Sequence, residues 1–246
     1  MAQYSFGSGN LFGVRTDIAN QTPTQFGVVQ SVDLDFDFSL KELIGQYQAP
    51  VAIARAGLKI TGKAAYANIS AASFNNVFFG QTLSTGGSLT AIGESANIPT
   101  TPFQVTVANA ANFTKDLGVV FSLTGVPLTR VASAPAAGQY SVNETTGVYT
   151  FASADTGKAV LISYNYNAAS GASKISINNQ LQGAAPTFLM TLAETYGSKV
   201  VNVTLNACVA GKLSLPLKNQ DFTVPNLEFQ AYADAAGAIG TITVTE

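Results

Sequence analysis

The chain contains no histidine, no tryptophan and a single cysteine, Cys208, in 246 residues. Without histidine there is no Ser-His-Asp triad, no imidazole base and no imidazole metal ligand. One cysteine permits neither an intrachain disulfide nor a cysteine-rich zinc site. Charge is equally scarce. Charged residues make up 11% of the chain, against about 25% in an ordinary soluble domain. Twelve Lys and Arg oppose fourteen Asp and Glu, a net of −2, so no basic footprint exists for gripping nucleic acid by its phosphates. No run of about 18 apolar residues is present to span a bilayer as a helix. The N-terminal stretch Met1-Ala2-Gln3-Tyr4-Ser5-Phe6-Gly7 has no basic segment followed by an apolar one, which predicts a protein made and used without Sec export.

Hydrophobic residues still reach 47%, so the missing charge has been replaced by Ala, Ser, Thr, Asn, Gln and Gly. A free monomer ordinarily keeps more surface charge for solubility. A weakly charged surface is easier to explain if copies of the same chain cover much of it.

The pattern along the chain is mainly that of strands. Residues 1–26 are rich in Gly, Asn, Gln and Thr with scattered Phe6, Leu11 and Phe12, and read as an extended arm. From Ser31 to Leu40 every even position is apolar and every odd one polar, the mark of a strand with one buried and one wet face. Residues 51–64 repeat the alternation: Ala52, Ala54, Ala56, Leu58 and Ile60 share one side, and Arg55, Lys59, Thr61 and Lys63 the other. Between them, residues 41–50 are too long for a tight hairpin turn and read as a functional loop. Residues 66–79 change to helical spacing, with Asn68 or Ser70 as the cap and Gly80 as the C-terminal glycine. Residues 81–100 read as a Ser/Thr/Gly-rich connector, 101–168 as several short strands, and the remainder as long alternating strands. In the last of these stretches Cys208 falls on the polar parity, opposite Val201, Val203, Leu205, Ala207 and Val209. The expected fold is an antiparallel β-sandwich or barrel with one flanking α-helix and a small β-rich insertion.

Two segments invite a chemical reading. Gly57-Leu58-Lys59-Ile60-Thr61-Gly62-Lys63-Ala64 nearly matches a phosphate-binding loop, but Ala64 stands where a Mg²⁺-binding hydroxyl is required. The segment also continues a strand, whereas such a loop follows one. Asp33, Asp35 and Asp37 could suggest paired carboxylates, yet alternate residues on a strand lie about 7 Å apart in a row, from a rise of about 3.4 Å per residue. A row facing water is not a converging acid–base pocket. If the two strands pair antiparallel with numbers summing to 92, Asp37 meets Arg55 and Asp33 meets Lys59. A sum of 96 pairs Asp33 with Lys63 and Asp37 with Lys59. Either register sets opposite charges across from each other. Cys208 has no base to activate it and reads as a tolerated small side chain. No catalytic group, cofactor or metal site is expected.

The layout resembles tail tube proteins of long-tailed bacteriophages. The similarity is carried by the arm, the strand Val32–Phe38, the segment Leu43-Ile44-Gly45-Gln46-Tyr47, the strand Val51–Lys63 and the helix ending Asn75-Asn76-Val77-Phe78-Phe79-Gly80. The block from Lys212-Leu213-Ser214-Leu215-Pro216 through Phe222-Thr223-Val224-Pro225, Phe229 and Ala231-Tyr232-Ala233-Asp234 adds to it. The resemblance implies a tail-tube β-barrel domain over 27–98 and 169–246, with 99–168 as an insertion on the outer surface. It also implies homohexameric rings that stack into a tube and pass double-stranded DNA without specific binding. Expected partners are further copies of the chain, then sheath, tape measure and tail terminator proteins. The expected location is the virion, after assembly in the host cytoplasm, with no membrane involved. On this reading Asp33, Asp35, Asp37, Arg55, Lys59 and Lys63 line the bore, and Leu43, Ile44, Gln46 and Tyr47 belong to a ring-stacking loop. The alternatives are another virion structural protein (a tail terminator or a capsid decoration protein), a carbohydrate-binding β-sandwich and an outer-membrane barrel. The last is disfavoured by the N-terminus and the internal helix.

Overall fold

The computed structural model describes residues 6–245. The chain divides into two compact units: one runs up to Leu83 and resumes at Ile175, and the other is Ser84–Lys174. The second unit therefore extends past both ends of the stretch 99–168 marked out by sequence.

In the first unit β1 (Asn10–Arg15), β2 (Thr24–Phe26), β3 (Val29–Ile44) and β4 (Pro50–Tyr66) precede a helical turn, α1 (Ala71–Phe74), that continues as a π-helical turn over Asn75–Phe79. Ser70 caps α1 by accepting from the Ser73 N–H, and Gly80 closes the π turn at φ 63°, a backbone region that glycine enters without steric cost. The second unit holds β5 (Leu83–Asn97), β6 (Gln104–Thr106), β7 (Phe113–Phe121), β8 (Thr129–Arg130), β9 (Gln139–Asn143), β10 (Val148–Phe151) and β11 (Ala159–Ile175). The chain then returns to the first unit with β12 (Thr187–Tyr196), β13 (Lys199–Ser214), β14 (Asn226–Ala231) and β15 (Gly240–Val244).

The strands of the first unit form one antiparallel sheet in the order β2-β1-β12-β13-β14-β4-β3, with β15 also paired to β13. The sheet does not close on itself; its long free end is β3. The fold is thus mainly β and almost wholly antiparallel with one short helix, and no barrel is closed within a single chain. The core gathers Leu11, Phe26, Ile60, Ala64, Tyr66, Phe74, Val77, Phe188, Met190, Leu205, Leu227 and Phe229. The Phe229 ring covers Gly62 so closely that a Cβ there would lie 2.1 Å from its Cζ, which is why this strand position carries no side chain.

Four expectations change. The supposed arm is part of the sheet: Leu11 and Phe26 are core residues on β1 and β2, which pair with each other and with β12. Its first five residues lie outside the described residues. The loop expected at 41–50 shrinks to 45–49, because β3 and β4 go on pairing through Ile44↔Pro50. Cross-strand hydrogen bonds hold a strand even where Lys41 and Glu42 break the alternation. The connector expected at 81–100 contains β5. Cys208 is fully buried rather than on a wet face. Between Phe188↔Cys208 and Met190↔Leu205 the register shifts by one residue, and such a bulge inverts the parity of everything beyond it. Burial pushes its thiol up to about 12, so it stays protonated and inert.

Tyr66 is fully buried between Phe26 and Phe74, and its hydroxyl has no hydrogen-bond partner. Tyr66→Phe removes that unsatisfied group and is expected to stabilise the first unit by about 1 kcal/mol. That corresponds to a rise of about 3 °C in Tm by thermal melting.

Between β14 and β15, Asp234 accepts from the Ala238 and Ala236 N–H groups, each at 2.9 Å, and from Asn206 Nδ2 at 2.8 Å. The backbone N–H of Ala238 leads in holding this carboxyl below its ordinary range. A carboxyl with a lowered folded pKa stabilises fully above about pH 4 and loses that contribution as pH falls through the folded value. Amide protection of Gly240–Val244 should therefore drop in acid. Asp234→Ala should show the loss already at neutral pH by hydrogen exchange.

The second unit packs the sheets β6-β10-β9-β8 and β5-β11-β7 around its own core, which includes Ile98, Val119, Tyr140, Tyr149, Phe151, Ile162 and Tyr164. Its polar centre is buried Asp116, which accepts from Tyr140 Oη at 2.7 Å, Tyr149 Oη at 2.8 Å and the Gly118 N–H at 3.0 Å. Arg130 Nη1 lies 3.6 Å from the same carboxylate and 3.0 Å from Glu144. Burial and the hydrogen bonds to Asp116 both raise the two tyrosine pKa values. At the open end of the unit β5 and β11 leave side by side, with Ser84 Oγ 3.5 Å from the Lys174 carbonyl.

Candidate functional site

The β3–β4 pairing adopts the register summing to 96: Asp33↔Lys63, Asp35↔Thr61 and Asp37↔Lys59. The charged row does not stop there. Lys63 also pairs with Glu228 on β14, and Glu228 pairs with Lys212 on β13, with Lys212 Nζ 3.3 Å from the Glu228 carboxylate. One polar face thus carries the transverse row Asp33–Lys63–Glu228–Lys212, alternating in sign across four strands. Glu228 and Lys212 join the site although sequence reasoning did not select them. Glu228 lay on the polar parity of its segment, and that was the available signal. Lys212 was hidden by the register shift between Ala210 and Lys212.

With Asp35, Asp37, Lys59 and Lys41, which follows Asp37 on the same side of β3, the face holds four carboxylates against four ammonium groups, a net of zero. The side chains surround a groove of about 730 Å³ lined by Asp35, Lys59, Lys63, Lys212, Glu228 and Gln230. Exposed pairs of this kind add little stability. They set register and leave almost no net pull on a phosphate chain. The near-match to a phosphate-binding loop is part of β4, so it forms no loop to cradle an anion. Among the described residues no cluster of acids and Cys is placed to hold a metal ion, and no helix is long and apolar enough to cross a membrane.

Arg55 is not part of this face. The register shifts between Phe38↔Leu58 and Leu40↔Arg55, inserting one extra residue in β4. Ser39 anchors the bulge by accepting from the Gly57 N–H at 2.8 Å. Arg55 is thereby turned to the opposite side, where its guanidinium sits 4.4 Å from the Phe38 ring centroid. The two strands cannot be treated as one uninterrupted ladder, and grouping Arg55 with Asp37 fails for that reason.

Beyond the bulge the hairpin stands free. β4 touches β14 only over Ile60–Ala65, so residues 50–59 have β3 as their sole strand neighbour among the described residues. Phe36, Phe38, Leu40, Ile53 and Leu58 are exposed on the Arg55 face. Leu43 is exposed on the aspartate face by strand alternation, and Ile44 and Tyr47 are exposed at the tip. Gln46 lies in the turn and is exposed as well. Large apolar side chains on both faces of a two-stranded ribbon cannot be covered by the ribbon itself.

Exposed large apolar residues are also unevenly shared. Of the 28 among the described residues, 23 belong to the first unit and 5 to the second. The exposed apolar surface is thus concentrated in the first unit. Compared with known proteins, the chain matches no family model and no curated protein sequence.

Proposed function

We propose that the chain is the repeating structural subunit of a bacteriophage tail tube. Copies form hexameric rings that stack into a hollow tube, and double-stranded DNA passes through the bore during ejection. It works without catalysis or cofactor, in the virion, beside sheath, tape measure and terminator proteins. The observation that carries this reading is the β3–β4 hairpin: it has two open edges and exposed apolar side chains on both faces. Neighbouring copies can supply strands for such edges and cover for such faces, and leaving them bare invites uncontrolled pairing. The alternating-sign polar face suits a wall along which phosphates slide, because uncompensated Lys and Arg would hold DNA through its backbone.

Negative-stain microscopy of the purified protein tests the proposal. Hollow tubes of uniform diameter are expected as concentration rises. Isolated rings that never stack would instead indicate a tube-capping protein, and a monodisperse monomer at all concentrations would end the tube reading.

A further inference from the structure

The patch of β13, β14, β4 and β3 has two open edges with opposite charge. At one edge β3 ends the sheet and carries Asp33, Asp35 and Asp37 on the polar face. At the other, pairing of β13 with β12 stops at Val209, and among the described residues no strand borders Ala210–Ser214 on that side. The polar residue there is Lys212, exposed and at the end of the alternating row. The apolar face repeats the arrangement: Val32, Ala64, Leu227 and Leu213 form a row from edge to edge, with Val32 and Leu213 only half-buried at its ends.

Joining two such patches head to tail continues both rows. It sets an acid beside Lys212 and an apolar β3 residue beside Leu213. Because the four strands alternate in direction, β3 of one copy and β13 of the next run oppositely and the joined sheet remains antiparallel. Joining β3 to β3 instead would oppose aspartates to aspartates, which is destabilising. A head-to-tail contact is heterologous and generates a ring when its rotation closes. Closure also requires tilted strands and therefore a stagger between neighbours. Acids at 33, 35 and 37, with Val32, Leu34 and Phe36 on the other face, keep both matches through a stagger of 0, 2 or 4 residues.

We propose that neighbouring copies join by antiparallel pairing of β3 with the Ala210–Ser214 edge of β13, with Lys212 of one copy set against the aspartate row of the next. The proposal rests on the tube reading and adds the edges, polarity and charged partners of the contact. It is tested by combining Lys212→Cys with Asp33→Cys, Asp35→Cys or Asp37→Cys and oxidising the assembled protein. The native Cys208 is buried and stays out of the reaction. One of the three double variants should give a ladder of disulfide-linked oligomers ending at the closed ring. An equimolar mixture of the corresponding single variants should give dimers only, and each single variant alone should give none. Tubes in the microscope without a ladder in any double variant would overturn this edge pairing and leave the tube reading standing. A cross-link in Lys212→Cys alone would overturn it too, since that requires a two-fold contact. Absence of any oligomer in the native protein would overturn both. Independently, Lys212→Gln, which gives up the exposed pair with Glu228 without setting like charges opposite each other, should melt close to the native monomer and raise the critical concentration for assembly about threefold, from the lost attraction to the aspartate row. An unchanged critical concentration would count against the contact.

Discussion

Replacing Leu43, Ile44 and Tyr47 together by serine is expected to leave a folded monomer that no longer polymerises at ordinary concentrations. These side chains are 65%, 64% and 77% exposed in the single chain, so their loss costs the monomer fold almost nothing. In an assembly each would bury most of its surface, at about 1.5 kcal/mol or more per side chain. Three such losses amount to about 4–5 kcal/mol, or roughly a thousandfold rise in critical concentration. Light scattering against concentration reads the shift, and circular dichroism checks the fold. Tubes forming at the native concentration would remove the hairpin tip from the assembly surface.

The second large effect is expected in the other unit. Asp116→Ala takes the acceptor from the hydroxyls of Tyr140 and Tyr149, which sit in residues 2% and 0% exposed. Leaving a buried hydroxyl unsatisfied costs about 1–3 kcal/mol each. The total of about 2–6 kcal/mol is a large share of the 5–15 kcal/mol typical of a domain. The two cores share no residue, so hydrogen exchange should report lost protection in β7, β9 and β10 while β12 and β13 keep theirs. Asp116→Asn retains one acceptor oxygen and should lose markedly less. Equal loss in both units would show that they fold as one.

Periodicity was legible wherever a strand ran without interruption. The alternation from Ser31 to Leu40 and from 51 to 64 identified β3 and β4 and narrowed their pairing to two registers. The structure adopts the one that opposes Asp33 to Lys63. The helical spacing ending at Gly80 located the α-helical turn near its right place, although the segment continues as a π turn. Bulges were not legible, because an extra residue in one strand leaves no compositional mark. Three of them account for the main corrections: one turned Arg55 onto Phe38, one buried Cys208, and one hid Lys212 from the charged row. β5 was missed for a different reason. Its three glycines weaken the strand signal and interrupt the alternation of apolar residues, and the strand forms because β11 supplies the partner backbone.

The neighbouring ends of the second unit have an evolutionary consequence. Ser84 and Lys174 meet across one hydrogen bond, so the host sheet sees only a pair of strands leaving together, whatever is carried beyond them. A module of any length whose termini are equally close can replace this one, or a short turn can take its place, without displacing a residue of the β12–β14 scaffold. Recombination at this junction would then vary the second unit while the strands of the first are inherited intact.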